Sequence, residues 1–153
     1  MTTSLLLRPY EASRDLERCL AIWRSASENA HSFLGLDQIR SDEEIVRERY
    51  MPMAEITVAE RNGELAGFIA MLGGFIGGLF VSPEHHRHGI GKMLVQDAAR
   101  RKGELEVEVY QENPRALAFY GSLGFREVGE RPLDDMGRPH ALVRLKREAD
   151  KPW

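Results

Sequence analysis

The chain has 153 residues, 42% hydrophobic and 29% charged, a balance that predicts a single domain over residues 1–153 able to bury its own core. The net charge of −3 excludes the general positive surface of a non-specific nucleic-acid-binding protein, so an anionic ligand must be held locally. Cys19 is the sole cysteine, which excludes an intrachain disulfide, and the sequence contains neither a signal-peptide pattern nor an apolar run of membrane-spanning length. We therefore expect a cytoplasmic protein that binds neither nucleic acid nor membranes.

The first half of the chain predicts a strand, two helices and a hairpin. After an apolar run that ends at Pro9, apolar residues recur at helical spacing. The segment 41–44, Ser-Asp-Glu-Glu, resembles a capping box, which predicts that a second helix begins there and stops near Pro52. Asn62-Gly63 lies between two apolar runs and predicts a tight antiparallel hairpin. The predicted strands of this half lie at 5–8, 56–59 and 65–72, and the first helix lies at 13–30.

The second half alternates strands with helices. Residues 75–81 form an apolar run, followed by a glycine-containing loop and a helix with an apolar face. Residues 104–109 alternate acidic and apolar side chains and predict a strand, after which Asn113-Pro114 opens another helix. Strands at about 125–131 and 140–146 complete the order β-αα-βββ-α-β-α-ββ. Because strand–helix–strand crossovers join parallel strands, this order predicts a mixed sheet with helices on both faces.

The loop that follows the strand at 75–81 has the features of an anion site. Unpaired backbone N–H groups and the positive end of the helix dipole meet there, and Gly89 and Gly91 would let the main chain approach a ligand. Arg87 and Lys92 add positive charge. An ordinary helix start with two glycines is the alternative. The segment lacks the Gly-Lys-Ser/Thr ending of a nucleotide P-loop and the third glycine of a dinucleotide fingerprint.

A second motif, NPRALAFYGSLGF, occupies residues 113–125. Together with the loop at 86–92, it resembles the GCN5-related N-acetyltransferases (GNAT family), in which a Q/R-x-x-G-x-G/A loop binds the pyrophosphate of acetyl-CoA and an N-x-x-A-x-x-F-Y-x-x-x-G-F helix lines the pantetheine arm. The resemblance covers residues 4–146, and the segments 30–34 and 134–142 resemble small bacterial members of the YjaB type. It implies an α/β fold with a mixed, mostly antiparallel sheet of about seven strands, flanked on both faces by about four helices.

The resemblance also assigns roles to individual residues. Backbone groups of Leu79, Phe80 and Val81 would pair with the pantetheine arm like an added strand, and Asn113 would hydrogen-bond that arm. Tyr120 matches the family tyrosine that can protonate the departing CoA thiolate, a role suited to a phenol with a reference pKa of about 10; a core aromatic is the alternative. The pyrophosphate would be held by backbone N–H groups of His86, Arg87, His88, Gly89, Ile90, Gly91 and Lys92.

Two departures from the family pattern bear on the chemistry. His86 stands where the family usually has Gln or Arg, and Arg87 replaces a common Gly, so we expect backbone groups more than side chains to hold the pyrophosphate. Many relatives carry a carboxylate just before the Leu-x-Val of the strand at 75–81, where it helps to deprotonate the amine. This chain has Gly77 and Gly78 there, so no general base is predicted on that strand.

An aliphatic amine with a reference pKa near 10.4 is only about one part in a thousand neutral at pH 7, so it must lose a proton before attacking the thioester. We predict His31 as the base and as a substrate residue, because it lies near the end of the first helix, which borders the acceptor cleft in the resembling family; a surface histidine is the alternative. Glu28, Glu106 and Glu108 are further candidates, although strand alternation alone would place Glu106 and Glu108 in solvent. Phe33 is predicted to line the acceptor pocket.

Metal chemistry is not expected, because the adjacent and i+2 spacing of His85, His86 and His88 fits zinc poorly. The sequence therefore predicts transfer of the acetyl group of acetyl-CoA to a primary amine of a small molecule or peptide, by direct attack in a ternary complex, in a monomer or homodimer. A CoA-binding regulatory or sensor module with weak catalysis is the alternative, motivated by Gly77 and Gly78. Binding of nucleic acid or protein without CoA would explain neither motif.

Overall fold

The computed structural model describes residues 4–30 and 32–153, and within these residues seven strands form one sheet. The strands are β1 (Leu5–Pro9), β2 (Glu55–Arg61), β3 (Glu64–Leu72), β4 (Phe75–Val81), β5 (Leu105–Tyr110), β6 (Arg126–Arg131) and β7 (Leu142–Arg147). Their order across the sheet is β1-β2-β3-β4-β5-β7-β6, with β4 and β5 parallel and the other neighbouring pairs antiparallel. The predicted mixed, mostly antiparallel sheet is confirmed.

Helices cover both faces of this sheet. The longer ones in the described ranges are α1 (Ala12–Ala30), α2 (Leu36–Ile45), α3 (Ile90–Lys102) and α4 (Pro114–Ser122). Adjacent strand residues point to opposite faces, so Phe68 joins a core cluster with α1 and α2 while Ile69 joins a second cluster with α3 and α4. The described helices are too short or too polar to cross a bilayer. Short helical turns lie at Ser32–Leu34, Val46–Tyr50, Met51–Met53 and Pro83–His85.

The second helix begins earlier than the sequence predicts. It starts at Leu36, directly after Gly35, and Ser41 lies inside it instead of capping it. The reason is Ile39, which is 2% exposed and packs into the core beneath α1, so burial of this side chain outweighs the capping pattern. The chain then stays helical through a π-turn, and Pro52 lies within the last helical turn instead of after it.

Two crossovers bring the sequence motifs together. Helix α3 carries the chain from β4 to its parallel neighbour β5, as predicted. Helix α4 carries it from β5 to β6, but β7 lies between these strands and is antiparallel to both, so β5 and β6 are parallel without being neighbours. Because β4 and β5 run in the same direction, the loop before α3 and Asn113 before α4 lie at the same edge of the sheet.

Candidate active site

The parallel strands β4 and β5 separate after two paired positions, the second of which joins Ile76 to Val107. Gly77 comes next and is the extra residue of a β-bulge in the pairing of β4 with β3. Beyond the bulge, a cavity of about 240 Å³ lies between the two strands, and we call it the β4–β5 cleft. In the described part of the chain, the edge of β4 that faces this cleft has no strand partner, so its backbone groups are open to an extended ligand.

Residues of β4 and of the motif at 113–125 line the β4–β5 cleft. Leu79 and Phe80 border it on β4, while Asn113 and Tyr120 border it at the start and along the length of α4. The structure therefore brings together four of the residues predicted to bind the cofactor. The carbonyl oxygen of Val81 accepts a hydrogen bond from Nε2 of His86 at 3.1 Å, which fixes the His86 imidazole against β4.

The loop into α3 uses its glycines for two different purposes. Gly89 has a φ of +74° and lies directly before the N-terminus of α3, which has no side-chain cap. The backbone N–H groups of the first turn of α3 are therefore left for another partner. Arg87 is also left-handed, with a φ of +67°, which explains why a glycine would suit its position. A Cβ on Gly91 would lie 3.2 Å from Cζ of Phe119, so close packing of α3 on α4 accounts for this glycine. The sequence had instead suggested that Gly91 lets the main chain approach a ligand.

The side chains of this loop divide between solvent and core. Ile90 is 1% exposed and packs in the core, so only its backbone is available to a ligand. The exposed cations can reach an anion held at the N-terminus of α3, where the helix dipole also favours negative charge. The exposed side chains of the loop are those of His86, Arg87, His88 and Lys92.

His85 anchors the loop and bears on the metal prediction. Its ring is buried, and Nδ1 accepts a hydrogen bond from Nη1 of Arg61 at 3.4 Å, which ties the loop to the β2–β3 hairpin. Glu64 and Glu84 lie close enough that their oxygens and a His85 nitrogen fall within 4.8 Å of one another. This donor set fits a cation poorly, because the positively charged Arg61 guanidinium lies beside the His85 ring.

Tyr120 is buried beside the cleft. Its ring packs edge-on against Phe119 and Phe125, with centroids 5.1 Å away in both cases. Burial raises the pKa of Tyr120 above its ordinary value, and no hydrogen bond from a described residue to the hydroxyl opposes or adds to this effect. The phenol therefore stays protonated at neutral pH and is able to donate to a group bound in the β4–β5 cleft.

Asn113 caps α4. Its Oδ1 accepts a hydrogen bond from the backbone N–H of Ala116 at 3.2 Å, and Pro114 occupies the first turn, where no backbone N–H is needed. Capping alone accounts for an asparagine here. Its predicted contact with a cofactor arm stays a prediction, although the residue borders the cleft.

A second cavity of about 270 Å³ lies between the sheet and the first two helices, and we call it the α1–α2 cavity. Its wall is mainly apolar and includes Leu34, Met51 and Phe68. Trp23 also lines it, but this residue is only 8% exposed and packs in the core cluster with α1 and α2. The cavity can therefore take an aliphatic chain.

The two cavities share a wall at the β-bulge of β4. A Cβ on Gly78 would lie 2.5 Å from Cε2 of Phe80, so the Phe80 ring fills the space that a side chain at this position would need. The lack of a carboxylate at Gly78 therefore has a steric reason. Neither Gly77 nor Gly78 places a side chain between the cavities. The residues lining both cavities are Phe75, Gly77, Gly78, Phe80, Tyr110 and Asp135.

The predicted bases are dispersed. His31 lies outside the described residues, and Glu28 is an exposed residue of α1. The side chain of Glu108 is only 13% exposed, and its carboxylate accepts hydrogen bonds from Nε and Nη2 of Arg131 at 2.7 and 3.1 Å. The expectation that Glu108 faces solvent is therefore wrong, because Arg131 covers it. Glu106 is half-buried on the same face, with Arg144 Nε at 3.8 Å.

Phe33 lies close to the shared wall. Its ring centroid is 5.2 Å from that of Tyr110, which lines both cavities, and 5.0 Å from that of His140. Nδ1 of His140 in turn lies 2.6 Å from Oε1 of Glu112. Tyr110, His140 and Glu112 were not among the predicted site residues, because the members of this group come from separate parts of the chain.

A buried carboxylate organises the turn between β6 and β7. Asp134 accepts hydrogen bonds at Oδ1 from the backbone N–H groups of Met136 and Arg138, at 3.0 and 2.8 Å, and at Oδ2 from the Tyr110 hydroxyl at 2.8 Å. Burial alone would raise the pKa of Asp134, but these hydrogen bonds outweigh it and hold the pKa below its ordinary value. Arg138 then donates two hydrogen bonds, of 2.9 and 2.6 Å, to Asp42 on α2. An aspartate followed three positions later by a glycine is typical of a turn. This is the one sequence feature that could have indicated that Asp134 organises the turn.

Similarity to known proteins agrees with this site. Residues 52–127 match the family described as acetyltransferase (GNAT) domain. The chain is 35% identical over 130 residues to the peptidyl-lysine N-acetyltransferase YjaB of Salmonella typhimurium, covering 84% of this chain and 89% of that protein. It is 37% identical over 120 residues to the peptidyl-lysine N-acetyltransferase YiaC of Escherichia coli, covering 77% and 82%. The solution structure of apo-form YjaB from Escherichia coli matches with a TM-score of 0.85 at 29% identity, over 94% of this chain and 97% of that one. The chain therefore belongs to the GCN5-related N-acetyltransferase (GNAT) family, whose members use acetyl-CoA, and is an N-acetyltransferase.

Proposed function

We propose that this enzyme transfers the acetyl group of acetyl-CoA to the ε-amine of a lysine in a protein or peptide, by direct attack in a ternary complex in the cytoplasm. The observation that carries the proposal is the wall shared by the β4–β5 cleft and the α1–α2 cavity at Gly77 and Gly78. A thioester in the cleft and an amine in the cavity would meet beside these two glycines, which carry no side chain that would separate them. The relatives YjaB and YiaC, both named as peptidyl-lysine N-acetyltransferases, support the same class of acceptor.

The α1–α2 cavity suits a chain with an aliphatic stem and a polar end. Lysine offers four methylene groups, and burying each is worth about 0.8 kcal/mol. Tyr50 and Met136 line the same cavity and are 42% and 48% exposed, so they present apolar surface at its mouth. Residues flanking a lysine in a peptide would contact that surface, whereas a free amino acid would leave it uncovered. The cavity therefore favours a peptide acceptor.

The donor would bind along β4 and at the N-terminus of α3. Backbone groups of Leu79, Phe80 and Val81 would pair with the pantetheine arm, and Asn113 would contact it from the opposite wall. The N–H groups from Arg87 to Lys92 would hold the pyrophosphate, helped by the dipole of α3 and the two exposed cations. The bond between His86 and the Val81 carbonyl supports this arrangement, because it holds the loop against the strand that would carry the arm.

Attack on the thioester places negative charge first on the carbonyl oxygen and then on sulfur. A backbone N–H near Phe80 or Val81 would meet the oxygen, and the Tyr120 hydroxyl would donate to the sulfur. Because burial raises the pKa of Tyr120, this phenol is a weaker acid than a thiol, whose reference pKa is about 8.5. Complete proton transfer to sulfur is therefore uphill, and the hydroxyl would act mainly by stabilising the thiolate with a hydrogen bond as it leaves.

The proposal is tested by measuring thiol release from acetyl-CoA with the full chain and a peptide that has a blocked N-terminus and a single lysine. We expect lysine-dependent release and a gain of one acetyl group in the peptide mass, and no release when arginine replaces that lysine. Preferential acetylation of free amino acids, polyamines or aminoglycosides would contradict the lysine assignment. Tight acetyl-CoA binding without turnover on any acceptor would instead favour the sensor alternative, which Gly77 and Gly78 motivate.

A further inference from the structure

We propose that Asp135, on the turn between β6 and β7, receives the ammonium group of the acceptor and takes its first proton, replacing the carboxylate that β4 lacks. This inference rests on the proposed acetylation of lysine and names the residue that prepares the amine. Among the described residues, Asp135 is the one carboxylate that lines both cavities. Asp42 borders only the α1–α2 cavity, and Glu108 borders only the β4–β5 cleft. A nitrogen bound at the shared wall is therefore placed where Asp135 can reach it.

A carboxylate on a turn can position a proton only if the turn itself is held in place. The buried carboxylate of Asp134 accepts three hydrogen bonds, two from the backbone of this turn and one from Tyr110 on β5. Arg138, at the far end of the turn, is tied to Asp42 on α2. The turn is therefore braced against both the sheet and a helix, which fixes the backbone that carries Asp135.

The charges around Asp135 favour a cation. Nη2 of Arg131 lies 2.7 Å from Oδ1 of Asp135 and 3.1 Å from Oε1 of Glu108, while Nε of Arg131 lies 2.7 Å from Oε2 of Glu108. Two carboxylates and one guanidinium leave one net negative charge, which a single ammonium group would neutralise. Glu108 takes two of the three hydrogen bonds of Arg131, so Asp135 is the carboxylate less committed to that partner.

The acceptor ammonium loses two protons in the reaction. The first passes from nitrogen to the Asp135 carboxylate and then to solvent, which is possible because this side chain is 69% exposed. The neutral nitrogen forms a bond to the thioester carbonyl carbon, and the carbon–sulfur bond breaks with its electron pair on sulfur. The second proton leaves nitrogen and ends on the CoA sulfur, so the products are an amide, a free thiol and one proton in solvent.

The test compares Asp135→Asn and Asp135→Glu with Asp150→Asn, a matched change of an exposed carboxylate in the C-terminal tail. Each full-length variant is assayed with a lysine peptide and with the same peptide carrying a weakly basic amine that is already neutral at the assay pH. We expect Asp135→Asn to lower kcat/KM for the lysine peptide about 10²-fold and to change it less than about threefold for the weakly basic amine. Asp135→Glu should restore most of the lysine activity, and Asp150→Asn should match the parent.

A loss of equal size with both amines would assign Asp135 a structural role and overturn the proposal, as would undiminished activity of Asp135→Asn on the lysine peptide. Calorimetric titration of acetyl-CoA into each variant should give the same Kd, since Asp135 acts on the acceptor. If the parent enzyme acetylates other amines but not lysine peptides, the proposed acceptor class fails. The same comparison of a strongly and a weakly basic amine then still decides the role of Asp135.

Discussion

Removing the Tyr120 hydroxyl separates its catalytic from its structural contribution. The substitution Tyr120→Phe keeps the ring that packs against Phe119 and Phe125 and deletes a hydroxyl to which no described residue hydrogen-bonds. Burying a hydroxyl without a hydrogen-bond partner destabilises a protein by roughly 1–3 kcal/mol, and a hydrogen bond to water in the cleft would offset part of this cost. Removing the hydroxyl should therefore raise the free energy of unfolding by about 0–1 kcal/mol. For a chain of this length, that corresponds to an increase in Tm of about 0–4 °C.

The same substitution should slow acetyl transfer, because it removes the donor to the leaving thiolate. One positioned hydrogen-bond donor is worth about 10²–10³ in rate, so we expect kcat to fall about 10²-fold, which is a rise of about 2.7 kcal/mol in the barrier. Thiol release at saturating acetyl-CoA measures kcat, and Tyr10→Phe is the control, since Tyr10 borders neither cavity. Unchanged kcat would refute the role given to the hydroxyl, and a clear fall in Tm would show that it makes a structural bond.

The direction of the Tyr120 pKa shift predicts how the reaction rate depends on pH. Burial raises the pKa of Tyr120 above 10, so the protonated form is favoured in the folded protein and its contribution to stability is lost only as the pH rises above about 10. The acceptor amine deprotonates in the same alkaline range. The rate on a lysine peptide should therefore climb with pH up to about 10 without an earlier decline, and a decline near pH 8 would contradict this account.

Three arginines give further tests. Arg87→Gly should change the acetyl-CoA Kd in calorimetry less than about fivefold, because backbone groups hold the pyrophosphate and glycine suits the left-handed backbone; a tenfold loss would show that the side chain matters. Arg138→Met should raise KM for the acceptor and lower unfolding stability by about 1–2 kcal/mol, since Asp42 loses its partner, with the acetyl-CoA Kd unchanged. Arg147 is 2% exposed, and its guanidinium donates to the Leu123 carbonyl at 2.8 Å and stacks 3.5 Å from the Trp153 ring, so Arg147→Met should lower Tm by about 4–12 °C. A loss of less than 2 °C in calorimetric melting would contradict that role.

Local patterns predicted most of the elements that position the site. Alternation along β5 predicted a strand in which Leu105, Val107 and Val109 are all buried. Asn62-Gly63 predicted the β2–β3 turn, where the two residues have φ values of 54° and 82°. In each case the residues that decide the structure are close in sequence, so periodicity and turn chemistry are sufficient.

The α1–α2 cavity and its charges could not be predicted in this way, because its walls come from distant parts of the chain. Arg138 and Asp42 are 96 positions apart, yet their ion pair holds the β6–β7 turn against α2. Glu108 alternates with apolar residues, a pattern typical of a residue that faces solvent. In the structure it is covered by Arg131, which lies on β6 and is distant in sequence. Burial of Ile39 likewise extends α2 beyond its capping pattern. Tertiary packing decides all three features.

The two glycines of β4 differ in whether they could carry the missing carboxylate. A Cβ on Gly78 would meet the Phe80 ring at 2.5 Å, whereas the nearest described atom to a Cβ on Gly77 would be the Ala70 carbonyl oxygen, at 3.4 Å. We therefore expect Gly77→Asp to restore activity on a lysine peptide when it is combined with Asp135→Asn, by at least about tenfold, because a positioned base is worth about 10²–10⁴ in rate. Gly78→Asp in the same background should give no recovery and a lower Tm, since Phe80 must move. Equal recovery from both substitutions would show that added negative charge alone is sufficient, and no recovery from Gly77→Asp would show that the acceptor nitrogen does not bind at the shared wall of the two cavities.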